Sequence, residues 1–297
     1  MLKGSSMRLQ EKLASGEFVI LAEMEPPKGT DVSAMVTNAT NVKRMVDAFM
    51  VPEMSNAVMR MSSLGGALLL QSRGLETVMQ VCCRDRNRLA LQGDLLAAQA
   101  LGVPTVMAVV GEEITHGDHH QAKAVNDLDL LTLLGAIQSL QSGRDLAGVE
   151  LKGAPQFLVG STLKVPGGGA ALEAELAALD KKIAAGARFF TTPPIYDLAA
   201  LEPLRKQVGR RQAAIIPTVL LLKSVGMARY INRHLDQMKI PEEFITRINK
   251  AADRVRECVQ IAAEIVAALK DKGYPGVLLS TIGWEDKLPA ILAAAGV

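Results

Sequence analysis

An α/β chain closed into a (β/α)8 barrel of the TIM type is what this 297-residue sequence predicts, and three observations predict it. Eight short apolar runs rich in Val, Ile and Phe punctuate the chain. Longer segments of helical period separate them, most at intervals of roughly 30 residues, the length of one strand plus one crossover helix. No G-x-G-x-x-G follows the first run, and eight strands exceed what the doubly wound alternative usually holds.

In chain order the runs are FVILAE (18–23), VDAFMV (46–51), ETVMQVCC (76–83), TVMAVVG (105–111), QFLVGST (156–162), ARFFTT (187–192), AAIIPTVLLL (213–222) and GVLLSTIG (276–283). Ahead of the first, MLKGSSMRLQEKLASGEF reads as a polar helix start without the apolar core of a signal peptide. Two intervals are long. Residues 112–155 are expected to hold an extended βα loop before their helix. Residues 223–275 are expected to hold two helices around KIPEE, where Pro241 with Glu242 and Glu243 suits a new helix N-terminus. No repeat beyond the βα unit and no interdomain linker is visible, so residues 1–297 read as one domain.

Composition narrows the function. Lys plus Arg (33) nearly balance Asp plus Glu (31), and no basic tract interleaved with aromatics is present, which argues against nucleic acid as a partner. No apolar run approaches the roughly 20 residues of a membrane span, and a soluble, cytoplasmic protein is expected. Three cysteines, two of them adjacent at Cys82-Cys83, give neither a disulfide framework nor metal-ligand spacing; buried small hydrophobes are the expectation, and no metal site is assigned.

In such a barrel the C-terminal ends of the strands surround the active site. The first strand ends in FVILAEMEPP, where Val19, Leu21, Glu23 and Glu25 share one face and Pro26-Pro27 must close the strand, having no N–H for a ladder. Glu23 is therefore presented at the rim, either for chemistry or to pair with a rim Arg or Lys. The fourth strand ends in Gly111, Glu112 and Glu113, and a glycine there would let the backbone approach a flat ligand. RDRNR (84–88) after the third strand could bind a phosphate, but Arg–Asp pairing across the rim is the commoner arrangement. Gly167-Gly168-Gly169 ahead of a helix reads as a flexible loop rather than a phosphate cradle.

The stretches AEMEPPKGTD, NAVMRMSSL, CCRDRNRLALQGDLLAAQALGV, GDHHQAKAVNDLDLL and KKIAAGARFF, in this order from about residue 8 to the closing IGWEDKLPAILAAAGV, resemble the methylenetetrahydrofolate reductase family, in its short bacterial form without a regulatory domain. The resemblance implies a (β/α)8 barrel that binds FAD at the strand C-termini and passes hydride to 5,10-methylene-tetrahydrofolate, giving 5-methyl-tetrahydrofolate in one-carbon metabolism and methionine biosynthesis. The family's E-x-x-P-P acid falls on Glu23, with Pro26 and Pro27 in register, which makes Glu23 the general acid that opens the folate's five-membered ring. Glu112 and the Thr192-Pro193 pair fall on substrate-binding positions. Gln80, Gly111, Glu175 and Lys182 fall on cofactor-facing ones, the last two near the flavin's ribityl and phosphate groups; an exposed helix lysine beside Lys181 is the alternative for Lys182.

Three positions depart from the family pattern. Glu112 stands where Asp is usual, one methylene longer. Pro193 stands at a Gln that bonds the pterin amide, and Pro52 at a flavin-facing Thr. Weak or conditional FAD binding is the expectation from these losses. The electron donor is then NAD(P)H or a partner subunit of a homo- or hetero-oligomer, as in short family members that work with a second subunit. A diverged barrel that binds folate or a partner without flavin chemistry, and a flavin-independent NAD(P)H reductase, are the alternatives.

Overall fold

The computed structural model describes residues 8–209, 211, 213–235 and 238–297; residues 1–7, part of the N-terminal segment read above, lie outside the described residues. Eight strands occupy the eight apolar runs. They are β1 (Val19–Glu23), β2 (Ala48–Val51), β3 (Thr77–Cys82), β4 (Thr105–Val109), β5 (Leu158–Thr162), β6 (Phe189–Pro194), β7 (Ala214–Leu220) and β8 (Gly276–Ser280). All pair in parallel, each with its sequence neighbour, and β1 closes on β8 through Val19↔Gly276 to Ala22↔Leu279. Parallel pairing demands a crossover after every strand, and helices supply it. The helices are α1 (Leu9–Ser15) ahead of β1, α2 (Ser33–Val42), α3 (Ser63–Gln71), α4 (Arg88–Ala100), α5 (Leu130–Gln141), α6 (Gly169–Ala184), α7 (Glu202–Val208), α8 (Val225–His234), α9 (Glu242–Lys250) and α10 (Arg254–Asp271) between strands, and α11 (Leu288–Ala295) after β8.

Helix starts follow local chemistry. The side chains of Ser62, Asn87, Asp129, Ser224 and Asp253 each accept a backbone N–H in the first turn of the helix they precede. Each cap of this kind is worth about 1 kcal/mol. In the first long interval the expected extended loop runs to Asp129, and a small antiparallel bridge, Arg144↔Glu150, follows α5. The second interval corrects the expectation: Pro241 does start α9, but residues 223–275 hold three helices, not two. Asp253 is the reason, because its carboxylate caps α10 immediately after α9 ends.

Two buried layers result. Inside the barrel lie Leu9, Val19, Leu21, Met50, Val78, Met107, Phe189, Ile216 and Leu278, while the opposite strand faces pack on the helices. Leu9 enters this interior from α1, whose position is fixed by Leu9 N donating to Glu76 Oε1 (3.0 Å) and by the Lys12–Asp47 ion pair (2.5 Å). Cys82, Cys83 and Cys258 are buried and free, and burial pushes the Cys82 thiol up to about 12, as expected of inert core cysteines.

Phe189 fills the barrel because β5 leaves it room. A Cβ on Gly160 would stand 2.2 Å from Phe189 Cζ. Gly160→Ala should therefore destabilise the fold by roughly 1–3 kcal/mol, the usual range for overpacking a tight core. Urea denaturation would read this as a lower midpoint at unchanged slope; an unchanged midpoint would show that the ring has space to retreat.

Candidate active site

Because every strand runs the same way, the C-terminal ends of all eight form one rim. Glu23, Pro52, Gln80, Gly111, Thr192 and Pro193 lie at or just beyond strand ends on that rim. Glu23 closes β1 on the inward row that begins with Val19 and Leu21. Ser280 at the end of β8 donates from Oγ to Glu23 Oε1 at 2.8 Å. The two residues are 257 apart in sequence, and only barrel closure makes them neighbours.

The surroundings of Glu23 favour its neutral form. Burial raises its pKa from 4.5 to about 7; the Ser280 hydrogen bond opposes this, and the acids Glu25, Glu285 and Glu112 add to the rise. Glu25 itself pairs with Arg60 (3.0 Å), although burial outweighs that partner and its pKa is also raised. Pro26 and Pro27 carry the chain off the strand and onto the next loop. The Pro26 carbonyl accepts from Arg60 Nη1 (3.4 Å), and that of Pro27 accepts from Met61 N (2.9 Å). Pro26 also packs on Gly66 of α3, where a Cβ would meet its ring at 3.2 Å.

A second carboxylate, Glu53, was not singled out in the sequence. It is buried, accepts from Ser63 N at the start of α3 (2.6 Å), and pairs with Arg86 (2.7 Å), which also reaches Asp94 (3.0 Å). The available signal was an acid ten residues before a helix start facing the arginines of RDRNR. Those arginines are paired throughout: Arg84 with Asp85 (2.7 Å), Arg86 with Glu53, and Arg88 with Asp127 (2.9 Å). Pairing, the commoner reading, is what the rim contains.

Loops after β1, β2 and β4 are knitted together above these residues. Arg84 donates to the carbonyls of Met54 (3.3 Å) and Glu112 (3.0 Å), and Lys28 pairs with Asp118, which accepts from Met59 N (3.0 Å). Met54, Asn56 and Ala57 are held at positive φ, a conformation that non-glycine residues occupy only when surroundings enforce it. Gly117 lies so close that a Cβ would meet the Ala57 carbonyl at 1.9 Å.

The positions predicted to face a cofactor are largely committed to the protein. Gln80 Oε1 accepts from Glu53 N (3.2 Å). Gly111 (φ +90°) does permit a close approach, but the group that approaches is Cys82 Sγ, 2.5 Å from where a Cβ would be, with Arg84 behind it. Glu175 and Lys182 reach from α6 to the C-terminal end of β5 and the loop that follows it. Glu175 Oε1 accepts from Lys164 N (3.1 Å), and Lys182 Nζ donates to the Thr162 carbonyl (2.8 Å) with Glu175 at 3.5 Å, so Lys182 is a half-buried, bonded lysine and not an exposed one. Gly168 and Gly169 open α6 at positive φ with no side-chain cap. As arranged, Gln80 Oε1, Glu175 Oε1 and Lys182 Nζ each bond within the protein and Pro52 offers no hydroxyl, so the set presents fewer free groups to FAD than the family resemblance implies.

On the substrate side, Glu112 is exposed, its carboxylate 3.6 Å from Arg84, and it contributes to the field on Glu23. Thr192 faces the β6–β7 seam. Its Oγ1 accepts from Thr218 N (3.2 Å) and donates to the Pro193 carbonyl (2.7 Å), where the register shifts between Thr191 and Pro194. Pro193 is half-buried beside it. Across the rim, Lys223 donates to the carbonyl of Ile282, itself at positive φ, and its ammonium stands 5.3 Å from the centre of the Trp284 ring. Among the described residues there is no group of three or more metal-ligating side chains and no helix long and apolar enough to cross a membrane.

A family model described as "Methylenetetrahydrofolate reductase" matches residues 8–296. No curated protein matches the chain. Among solved structures, a Clostridium thermocellum protein described as binding two copies of 5-methyl-5,6,7,8-tetrahydrofolic acid superposes with a TM-score of 0.60 at 15% identity, covering 97% of each chain. The EDTA monooxygenase of Chelativorans sp. BNC1 superposes with a TM-score of 0.55 at 8% identity, covering 94% of this chain and 93% of its own. At such identities both show the fold alone.

Burying Glu23 carries a stability cost whose sign is fixed by its pKa. Between about pH 4.5 and 7 the native protein keeps a proton that the unfolded chain has released. Stability therefore falls as pH rises through that window and stays lower above it, by roughly 3 kcal/mol at most. Glu23→Gln, which cannot ionise, should gain most of this relative to the parent at pH 8 and little at pH 5. Urea titrations of both proteins at the two pH values test it; an equal difference at both would mean that Glu23 is not held neutral by burial.

Proposed function

The chain belongs to the methylenetetrahydrofolate reductase family, and from that membership we propose that it reduces 5,10-methylene-tetrahydrofolate to 5-methyl-tetrahydrofolate at the C-terminal mouth of the barrel. Glu23 is the observation that carries the reading. A half-buried carboxyl at the mouth, with its pKa raised to about 7 by desolvation, holds a proton at neutral pH and can still give it up, which is what a general acid requires. In this reaction the bond from the bridging methylene to N10 breaks, its electron pair takes the proton of Glu23, and the resulting iminium carbon accepts hydride. An amine is a poor leaving group without that proton.

Glu112 adds negative potential that favours a cationic iminium nearby. Thr192 shapes the β6 end without offering a free hydroxyl, and Pro193 presents only apolar surface where the family resemblance expects an amide. Reduced folate as ligand, an enzymatic role and a cytoplasmic setting all follow from this reading.

A second reading is favoured by one observation, the internal commitment of Gln80, Glu175 and Lys182. In it no flavin is resident, and hydride comes from reduced NAD(P)H or from an electron-supplying partner subunit. FAD then binds weakly, or only when a partner or a rearrangement frees these groups. Flavin in the parent reading would supply the hydride.

Glu23→Gln is expected to abolish the reduction while folate affinity stays within about tenfold, because a general acid acts chiefly in the transition state. A variant with parent-like turnover would overturn the assignment. The visible spectrum of freshly purified protein, followed by FAD titration, separates the two readings. Little bound flavin, with Pro52→Thr tightening binding by about threefold to tenfold for a regained hydrogen bond, is the expected result. Stoichiometric, tightly held yellow cofactor in the parent protein would show the losses to be compensated.

A further inference from the structure

We propose that Ser280 is a positioning residue for Glu23: its hydroxyl holds Oε1 so that the proton to be donated resides on Oε2, and it keeps that proton exchangeable. The inference rests on Glu23 acting as the general acid. Its geometric basis is independent of the family, since β8 and β1 pair through Ala22↔Leu279 and the next step along both strands sets Ser280 beside Glu23. Ser280 is itself buried, in the inward row that contains Leu278, and its Oγ lies 2.8 Å from Oε1.

The hydroxyl matters because little else near Glu23 welcomes a negative charge. The charged groups that act on it most strongly are acids: Glu25 beyond its own strand, Glu112 from the loop after β4, and Glu285 from the segment after β8. The cations Arg60 and Lys223 act on Glu25 instead. Desolvation and three acids push Glu23 toward its neutral form, and the further its pKa rises the less readily it gives up its proton. The Ser280 bond is the largest contribution of the opposite sign.

Its action on the step is specific. With Oε1 accepting from Ser280, the acidic proton occupies Oε2. On transfer the Oε2–H bond breaks, an N–H bond forms on the leaving amine, and Glu23 is left as a carboxylate. Ser280 then donates to a charged acceptor, a stronger bond than the one to the neutral acid, so the interaction tightens as the proton leaves. A proton from solvent restores the acid, and no oxidant or reductant enters this step.

The test uses Ser280→Ala, with Ser280→Thr as the variant that restores the hydroxyl, each made in the full chain. Carboxyl NMR of protein labelled with 13C-glutamate, assigned through Glu23→Gln, reads the titration of Glu23 without any turnover. In Ser280→Ala the midpoint should rise by about one pH unit, the scale of a hydrogen bond to a charged group, and Ser280→Thr should bring it back. The alkaline limb of the kcat profile should move by the same amount. Below both midpoints, where the acid is fully protonated in either protein, kcat of Ser280→Ala should still be about tenfold lower because the proton is no longer directed. An unmoved midpoint in Ser280→Ala, or failure of Ser280→Thr to restore a moved one, would overturn the proposal while leaving Glu23 in place. Parent-like turnover of Glu23→Gln would instead remove the reading on which it rests, and the titration would still report on the bond.

Discussion

The seam between β1 and β8 is the constraint on which this molecule depends. Four backbone pairs close the sheet, and they join residues more than 250 positions apart. Without closure, the first and last strands would be edges with open ladders. With closure, each strand end lies on one circular rim, and the rim acquires a floor of packed apolar side chains around Phe189. Glu23 is half-buried there as a consequence, its carboxyl withdrawn from water. An acid at the end of an open strand would be solvated and would titrate in the ordinary carboxylate range, whereas an acid above a filled barrel has little water to keep it charged.

Around this floor the rim is built by two kinds of polar contact with different consequences. Buried Glu53 pairs with half-buried Arg86 and accepts from Ser63 N, and such a pair adds geometric definition more dependably than net stability. Removing one partner would leave an uncompensated charge, so the β2 end, α3 and the start of α4 are coupled. Arg84 performs the same service for the loops after β2 and β4, holding the carbonyls of Met54 and Glu112. The left-handed residues Met54, Asn56 and Ala57 are sustained by this network, and they shape the side of the mouth nearest Gln80 and Gly111. Internal bonding here explains how the loops stay closed and also why the polar groups expected to greet a cofactor are occupied.

How much of this was legible can be judged from particular residues. All eight strands were readable because a strand buried on both faces needs a continuous apolar run, and no tertiary information is required to see one. Pro241 announced α9 for an equally local reason, while α10 was missed because its cap, Asp253, follows α9 so closely that the two helices share one stretch of helical period. Among site residues, Glu23 was visible through the acid and double proline that end its strand. Glu53 was hidden, since VPEMSN carries no mark that its acid will face Arg86 rather than water. Lys182 was ambiguous for a related reason: a lysine beside another lysine on a helix has two faces to choose from, and the buried choice depends on where the Thr162 carbonyl lies.

By itself the sequence determined the elements and their order, because strand and helix periods, prolines at strand ends and polar helix caps act through neighbours a few residues away. It also determined that an acid would stand at the end of the first strand. Only the tertiary structure decided what kind of acid that would be. The pairing of Ser280 with Glu23, the approach of Glu112 and Glu285, and the exclusion of water all depend on closing the barrel. A pKa is a property of the surrounding dielectric and charges, and those are supplied by residues that meet only in space.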